Sequence, residues 1–161
     1  FTSGGGGVYN PGILTNCSHL SAGSNKTGHI LDNGSVIEWG DRFASHDSDP
    51  NNYYPVDNLT NARWISSFGL SRKYSHSCAI KENNTAVCWG NNRFGQLGDS
   101  NVSSGRESSG CSRPSSVTAR ATACAVPEFN DSSAQGNLEM VETGNGFTLW
   151  LDKNGKAYVS G

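Results

Sequence analysis

Three segments of this chain repeat a single pattern, in which a short β-prone run, a polar turn and a second β-prone run follow one another. They span residues 31–40, 80–90 and 151–161, with asparagine in all three turns and glycine in the first and third. These two residues tolerate the positive φ angles that tight hairpins require. No segment longer than about one turn shows the 3.6-residue periodicity of a helix. The sequence therefore predicts an all-β protein built from repeated hairpins.

The most complete copy lies at residues 76–100, where two apolar runs flank a polar turn and Trp-Gly-Asn-Asn then leads into Gly-Gln-Leu-Gly. This stretch resembles the repeat of the regulator-of-chromosome-condensation family, whose repeats form blades of a β-propeller. The resemblance covers about residues 20–161 and is strong at 65–100. The motif residues that would build the blades are Trp39, Gly40, Trp89, Gly90, Gly95, Gln96, Leu97 and Gly98.

The resemblance implies three propeller-type blades of short antiparallel strands, at about residues 20–60, 65–100 and 138–161. Three blades are too few to close a ring, so we expect an incomplete or open propeller. We expect Trp39 and Trp89 to be buried between sheets, because a large aromatic side chain supplies much of the apolar area of a small blade. The alternative, that they are platforms for a ligand, is disfavoured because both lie in β-prone runs.

Two regions lie outside the repeated pattern. Residues 1–19 form a Gly-rich N-terminal segment, in which Gly4–Gly7 has the composition of a flexible tether and Val8–Leu14 is a candidate strand for exchange with a neighbouring copy. Residues 101–137 have the composition of an insertion into the repeat region. We expect a disulfide to tie this insertion down.

Signals for asparagine-linked glycosylation are dense in this chain. With 17 Asn and 32 Ser plus Thr in 161 residues, chance predicts about 3.4 Asn-x-Ser/Thr sites. The chain has seven, at Asn16, Asn25, Asn33, Asn58, Asn83, Asn101 and Asn130. Asn33 and Asn83 fall at equivalent hairpin tips, where a bulky glycan can project freely. The preferred interpretation is an extracellular protein, secreted through a glycosylating eukaryotic pathway.

The five cysteines fit an oxidising compartment. Cys78 and Cys88 stand on opposite arms of one hairpin, where a cross-strand disulfide is geometrically reasonable. Cys111 and Cys124 bracket part of the insertion and form the second predicted pair. Cys17 is left over, which indicates either an intermolecular bond or a buried free thiol. The alternative, a reduced protein with five buried thiols, stays open.

No motif for catalysis, a cofactor or a metal stands out. Cys17 and His19 are near neighbours in sequence, which does not establish a thiol–imidazole pair. Residues 47–51 open like a calcium loop but lack its Gly at position six and its Glu at position twelve. No Cys-x-x-Cys pair indicates structural zinc. The sequence predicts that the protein is not an enzyme and binds neither cofactor nor metal.

Two functional classes follow from these features. The first is an extracellular glycosylated structural protein that assembles with copies of itself by sharing β-strands. Filaments are the expected product of this assembly. The alternative is a recognition module of a larger secreted propeller that binds protein or glycan ligands. The formal net charge of −2, with scattered Lys and Arg, predicts no nucleic-acid partner. No apolar run is long enough to predict a membrane span.

The best-known member of the family is a nuclear exchange factor for a small GTPase that also binds chromatin. We do not expect exchange activity of this chain, because it has too few blades, no basic tail and glycosylation signals of another compartment.

Overall fold

The computed structural model describes residues 16–24, 26–40, 53–69, 74–98, 121–129 and 137–161. Within these ranges the secondary structure is β, apart from one 3-10 turn at Pro127–Phe129. The strands are β1 (Cys17–Ala22), β2 (Lys26–Leu31), β3 (Val36–Gly40), β4 (Tyr54–Asp57), β5 (Ala62–Phe68), β6 (His76–Lys81), β7 (Ala86–Gly90), β8 (Ala121–Thr122), β9 (Cys124–Ala125), β10 (Leu138–Thr143), β11 (Thr148–Asp152) and β12 (Ala157–Ser160).

The strands form three sheets. The first sheet has the order β1-β2-β3-β4-β8, the second β5-β6-β7-β9 and the third β10-β11-β12. Neighbouring strands are antiparallel, except that β8 runs parallel to β4. This architecture confirms the predicted all-β fold of three propeller-type blades, each of which is an open sheet.

The hairpin at the centre of each sheet closes with the same turn. In the first hairpin Leu31 N donates to Ser35 O at 2.9 Å, and the equivalent bonds close the other two hairpins at the same distance. The residue that reverses the chain has a positive φ in every case, 75° at Gly34, 64° at Asn84 and 79° at Gly155. Local turn chemistry therefore determines where each hairpin bends.

The second sheet lies between the first and the third, and a hydrophobic core fills the space on each of its faces. The core shared with the first sheet consists of Ile30, Val36, Tyr54, Val56, Leu59, Ala62, Ile65, Ala79, Val87, Trp89 and Ala123. The core shared with the third sheet consists of Cys78, Ile80, Ala86, Cys88, Leu97, Val126, Phe129, Leu138, Val141 and Trp150. Successive residues of β6 and β7 alternate between the two cores, because side chains along a strand point to opposite faces.

The two motif tryptophans differ in burial. Trp89 is 1 % exposed and packs in the core between the first and second sheets, as expected. Trp39 is only half-buried, and its ring contacts are with His29 and Tyr53. The expected burial between sheets is therefore wrong for Trp39. The reason is its position, because Trp89 faces the preceding sheet, whereas the described residues place no sheet before the first.

A disulfide joins Cys78 and Cys88, which are direct partners across β6 and β7. Their Cα atoms are 4.1 Å apart, which matches the closer, non-hydrogen-bonded pairs of an antiparallel ladder. Both side chains belong to the core shared with the third sheet and are shielded from solvent. The cross-strand bond that the hairpin predicts is thus present.

Residues 121–129 fall within the predicted insertion at 101–137, yet they take part in two sheets. β8 pairs with β4 of the first sheet and β9 pairs with β7 of the second. Ala123 is buried in the core between the first and second sheets, and Val126 in the core between the second and third. Residues 121–129 of the predicted insertion are therefore an integral part of the blades.

Candidate functional site

The two ends of the sheets differ in character. We call the end formed by the turns at 32–35, 82–85 and 153–156 the hairpin end. The opposite end, the loop end, consists of the connections before β6, after β7 and between β10 and β11. Because neighbouring strands are antiparallel, each of these connections lies at the far end of the sheets from the three turns.

The loop end carries a group of large side chains, the aromatic cluster, formed by Tyr74, Arg93 and Phe94. The rings of Tyr74 and Phe94 stack with centroids 5.4 Å apart and an interplanar angle of 4°. The guanidinium carbon of Arg93 lies 6.0 Å from the centre of the Phe94 ring. Phe94 is 44 % exposed, and Arg93 is exposed as well. Exposed aromatic rings beside an arginine are characteristic of protein interfaces.

The motif residues after β7 hold this cluster in place. Asn91 Oδ1 accepts a hydrogen bond from Arg93 N at 2.8 Å, and Gln96 Oε1 accepts one from Phe94 N at 2.9 Å. Asn91 and Gln96 are buried, and Leu97 is anchored in the hydrophobic core. The Gly-Gln-Leu-Gly motif therefore holds the loop through its buried side chains, and Arg93 and Phe94 point toward solvent.

A glycine brings the loop of the third sheet against this cluster. Gly146 has a φ of 84°, and a Cβ atom at this position would lie 3.1 Å from Tyr74 Cδ1 and 3.3 Å from Phe94 Cδ2. These distances are shorter than ordinary contacts, so the close approach favours glycine. The loop between β10 and β11 of the third sheet thus packs against the aromatic cluster of the second sheet.

A buried ion pair within the first sheet is hydrogen-bonded to side chains of the second sheet. Lys26 Nζ lies 2.9 Å from Glu38 Oε2, and the two side chains are 5 % and 0 % exposed. Glu38 also accepts hydrogen bonds from Ser67 Oγ at 3.1 Å, Trp89 Nε1 at 2.9 Å and Ser77 Oγ. Lys26 Nζ donates to Ser77 Oγ at 2.8 Å. We call these five residues the ion-pair network, in which both carboxylate oxygens have partners, as a buried charge requires.

His76 is fully buried between the second and third sheets. Its Nδ1 lies 2.9 Å from Tyr74 O, and its Nε2 lies 2.8 Å from Thr148 Oγ1, which is 2.7 Å from Gln96 O. Burial lowers the pKa of His76 to about 4, the hydrogen bond with the Tyr74 carbonyl opposes this shift, and the charge of Lys26 adds to it. The ring is therefore neutral at physiological pH and links the two sheets through neutral hydrogen bonds.

Two sheet faces, which we call the outer faces, have no neighbouring sheet among the described residues. The outer face of the first sheet presents Leu20, which is 63 % exposed, beside the half-buried Trp39 and the exposed Tyr53. The outer face of the third sheet presents Leu149 and Val159, which are cross-strand partners and are 48 % and 69 % exposed. Large exposed apolar side chains grouped in this way mark candidate interaction surfaces.

Four of the seven predicted glycosylation sites are described, and all four are exposed. They are Asn16, Asn33, Asn58 and Asn83. Asn33 and Asn83 occupy the tips of the first and second hairpins. Asn16 lies beside the first tip, where its carbonyl oxygen accepts a hydrogen bond from Asp32 N. Asn58 also lies near the first tip, because it follows the end of β4 that is closest to it. The described sites therefore share the hairpin end. The other three, Asn25, Asn101 and Asn130, lie outside the described residues.

The remaining cysteines stand as follows. Cys124 is disulfide-bonded, whereas Cys111, its predicted partner, lies outside the described residues, so the pair stays a prediction. Cys17 is a half-buried free thiol. Burial raises its pKa, and the nearby charge of Asp32 raises it further, so the unreactive thiol form is favoured.

Neither a metal-binding group nor a membrane-spanning helix is found among the described residues. They contain no group of three or more His, Cys, Asp or Glu placed to hold a metal. Among the same residues, no helix has both the length and the apolar character needed to cross a bilayer. The ion-pair network is closed to solvent, and the exposed surfaces supply contact area.

Sequence reasoning missed the aromatic cluster and the ion-pair network. The signal for the first is the pair Arg93-Phe94, a large cation and a large ring between two parts of a glycine-rich motif. The signal for the second is Glu38, a carboxylate inside the β-prone run Val36–Trp39. A charge in such a run indicates a buried partner on another element.

The model of the regulator of chromosome condensation (RCC1) repeat matches residues 73–96, which include His76, the Trp-Gly pair of β7 and the cluster residues Arg93 and Phe94. No curated protein sequence is significantly similar to the chain.

Three solved structures share the fold. The first is Prp20p from Saccharomyces cerevisiae, which is described with its binding properties to Gsp1p and histones. Its TM-score is 0.61 and its sequence identity is 20 %, and the match covers 91 % of this chain and 31 % of the Prp20p chain. Yeast RCC1 (Prp20) bound to Kap60 has a TM-score of 0.57 at 19 % identity, with 91 % and 30 % covered. Human WBSCR16 has a TM-score of 0.62 at 12 % identity, with 91 % and 34 % covered.

This chain thus spans about a third of the length of the structures it matches. At these identities the similarity concerns the fold, and the repeat match locates the family motif within it. Together they place a repeat of the regulator-of-chromosome-condensation type at residues 73–96, within a fold built from β-propeller blades.

Proposed function

We propose that this chain is a protein-recognition module of a secreted glycoprotein, and that its loop end binds a protein partner through the aromatic cluster. The observation that carries this proposal is the exposure of Arg93 and Phe94 on a surface held by buried motif residues. A surface that is ordered before binding loses little conformational entropy when a partner docks. The proposed function is binding, without a catalytic step.

The composition of the cluster favours a protein partner. Tyr and Arg are enriched among the residues that dominate interface energies, and Phe is enriched in interfaces generally. The net charge of −2 supplies no attractive field for nucleic acid. Prp20p and yeast RCC1 are both described with protein partners, and extending protein binding from them to this chain is an argument by fold analogy.

The proposed secretion is supported by the glycosylation sites and by the disulfide. The four described acceptor asparagines are exposed, so glycans there would not disturb the cores. The Cys78–Cys88 bond is typical of proteins that fold in oxidising compartments.

A photoreactive phenylalanine analogue in place of Phe94 is expected to crosslink to a discrete protein in cells that make the native protein. The analogue in place of Arg93 should give the same adduct, because the two side chains share one surface. The matched control is the analogue at Lys153, which is exposed at the hairpin end and should give none. Mass spectrometry of the adducts identifies the partner. Failure of both loop-end positions, or an adduct at Lys153 alone, would show that the docking surface is elsewhere.

A second function, self-assembly into filaments, is favoured by the two outer faces. When the three repeats are aligned, Val159 corresponds to Cys88 of the second sheet and to Glu38 of the first. Cys88 faces the third sheet and Glu38 faces the second, so each faces the next sheet along the chain. The outer face of the third sheet is therefore equivalent to a surface that packs on another blade. If the first sheet of one copy packs on the third sheet of the next, the contact is head-to-tail. Such contacts build filaments unless their rotation closes a ring.

Strand sharing would reinforce this contact. The candidate exchange segment Val8–Leu14 lies outside the described residues, but its proposed acceptor, β12, is described. In the second sheet the equivalent strand, β7, pairs with β6 on one side and β9 on the other. In the third sheet β12 pairs with β11 on one side, and the described residues place no strand on the other. We propose that residues 8–14 of a neighbouring copy occupy that position.

Assembly of the native material should respond differently to two substitutions. Leu149→Glu is expected to raise the concentration needed for assembly by at least about tenfold, because it places an unpaired charge in the face contact. Val159→Pro is expected to weaken strand sharing and preserve the hairpin. Hydrogen-bonded and non-hydrogen-bonded pairs alternate along an antiparallel ladder. Counted from the closing bond between Asp152 N and Lys156 O, Val159 is in a non-hydrogen-bonded pair with β11. Its N–H group therefore points away from β11, and proline there removes no hydrogen bond of the hairpin.

Sedimentation and electron microscopy of native and variant material measure these effects, with Lys153→Glu at the hairpin end as the control. If Val159→Pro and deletion of residues 1–14 leave assembly unchanged while Leu149→Glu disrupts it, strand sharing is wrong and face packing stands. If the native material is monomeric, self-assembly is wrong altogether.

A further inference from the structure

The tips of the first two hairpins hold an asparagine in the same geometry. Asn33 Oδ1 accepts hydrogen bonds from Ser35 N at 3.0 Å and from Ser35 Oγ at 2.6 Å. Asn83 Oδ1 accepts hydrogen bonds from Thr85 N at 3.2 Å and from Thr85 Oγ1 at 2.7 Å. At each tip, the hydroxyl residue two positions after the asparagine is thus bonded to the side chain of that asparagine.

We infer that Asn33 and Asn83 are turn-held acceptors for asparagine-linked oligosaccharides, and that the hairpin end is a glycan-bearing end of the module. This inference rests on the proposed secretion and adds to it the geometry that selects these sites. Both asparagines are exposed, so the folded chain can accommodate an attached glycan. Asn16 and Asn58 lie at the same end, and glycans there project away from the aromatic cluster.

The transfer requires Nδ2 to act as a nucleophile. It attacks C1 of the first sugar of a lipid-linked oligosaccharide diphosphate, and the bond from C1 to the diphosphate oxygen breaks. The lipid diphosphate leaves with the electron pair, a bond forms between Nδ2 and C1, and Nδ2 loses one proton to a base of the transferase. Hydrogen bonds to Oδ1 stabilise the negative charge that develops there as the proton leaves.

The geometry is available before the sheets assemble. The bonded groups are two residues apart in the chain, and local side-chain to backbone bonds of this kind form turns without tertiary contacts. An acceptor site in a nascent chain can therefore adopt it. The folded hairpin then keeps the modified asparagine at its tip.

Two other asparagines provide internal comparisons. After Asn16, the hydroxyl of Ser18 donates to Ile30 O at 3.4 Å, on the neighbouring strand. Asn154 occupies the third hairpin tip but is followed two positions later by Lys156, which has no hydroxyl. In that turn it is Asp152 Oδ1 that accepts from the backbone amides of residues 154 and 156. We therefore expect higher occupancy at Asn33 and Asn83 than at Asn16, and no modification at Asn154.

Glycopeptide mass spectrometry of the native protein tests this inference, with enzymatic glycan release to mark the modified asparagines. Asn33 and Asn83 are expected to be occupied in most molecules. In chains expressed through a glycosylating secretory pathway, Ser35→Ala and Thr85→Ala should each remove the glycan of their own tip alone. Ser35→Thr should preserve it, because threonine supplies the same hydroxyl.

Unmodified Asn33 and Asn83 in the native protein would overturn the inference, as would an occupancy at Asn16 above that of both tips. This measurement needs no binding partner. A failed crosslink at the loop end therefore does not contradict the glycosylation of Asn33 and Asn83. Unmodified tips, in turn, do not contradict protein binding at the loop end.

Discussion

Replacing Glu38 by alanine is expected to lower the free energy of unfolding by about 3–5 kcal/mol. The substitution leaves the Lys26 ammonium group buried without its carboxylate. It also removes the acceptor for the hydroxyls of Ser67 and Ser77 and for Trp89 Nε1. An unpaired buried charge costs far more than a lost surface ion pair. Urea denaturation followed by tryptophan fluorescence measures the change.

Paired variants separate this network effect from general damage to the core. Lys26→Met leaves the carboxylate of Glu38 without its cation and should also be strongly destabilising. The double variant Lys26→Met with Glu38→Gln retains an acceptor and removes both charges, so it should cost less than the sum of its two single substitutions. Lys153→Ala, exposed at the hairpin end, should change stability by less than about 0.5 kcal/mol. A Glu38→Ala variant within about 1 kcal/mol of the native protein would contradict the network.

Acidification is expected to destabilise the native protein through His76. Its folded pKa is lowered to about 4 by burial, whereas an unfolded histidine titrates near pH 6.5. Between these values the unfolded chain binds a proton that the folded chain excludes, so stability falls as the pH falls. The contribution is fully present above about pH 6.5 and is lost progressively down to about pH 4, which amounts to roughly 3 kcal/mol.

His76→Gln is the control, because it cannot titrate. Other groups also respond in this range, among them the half-buried His29, whose pKa is lowered by burial. The relevant quantity is therefore the difference between the native protein and His76→Gln in the free energy of unfolding, measured by urea denaturation at several pH values. This difference should shrink as the pH falls from about 7 to about 4. A difference that stays constant across that range would show that His76 is not a buried neutral group.

The hairpins could be predicted from the sequence because their signals are local. The turn at Gly34, the turn at Asn84 and the register that brings Cys78 opposite Cys88 all depend on residues close in the chain. The same holds for the motif that anchors Gln96 and Leu97. Turn chemistry and strand alternation are sufficient to infer these features.

Contacts between sheets could not be predicted in the same way. Lys26 and Glu38 meet Ser77 and Trp89 from a different sheet, and nothing in the spacing of these residues selects that pairing. The half-burial of Trp39 is a related case, because its environment depends on which blade stands beside it. The aromatic cluster is a similar case, because a loop of the third sheet packs against it at Gly146.

The short stretch from Ala121 to Val126 has a mechanical consequence. Its backbone is bonded to the outer strands of two neighbouring sheets, with Ala123 N donating to Asp57 O at 3.1 Å and Val126 N donating to Ala86 O at 3.0 Å. A tensile force that separates the first sheet from the second must load these attachments together with the core between the sheets. Repeat proteins commonly yield one repeat at a time, since each repeat contacts only its neighbours. Because this stretch is bonded to both sheets, the two sheets are expected to separate under force in a single step.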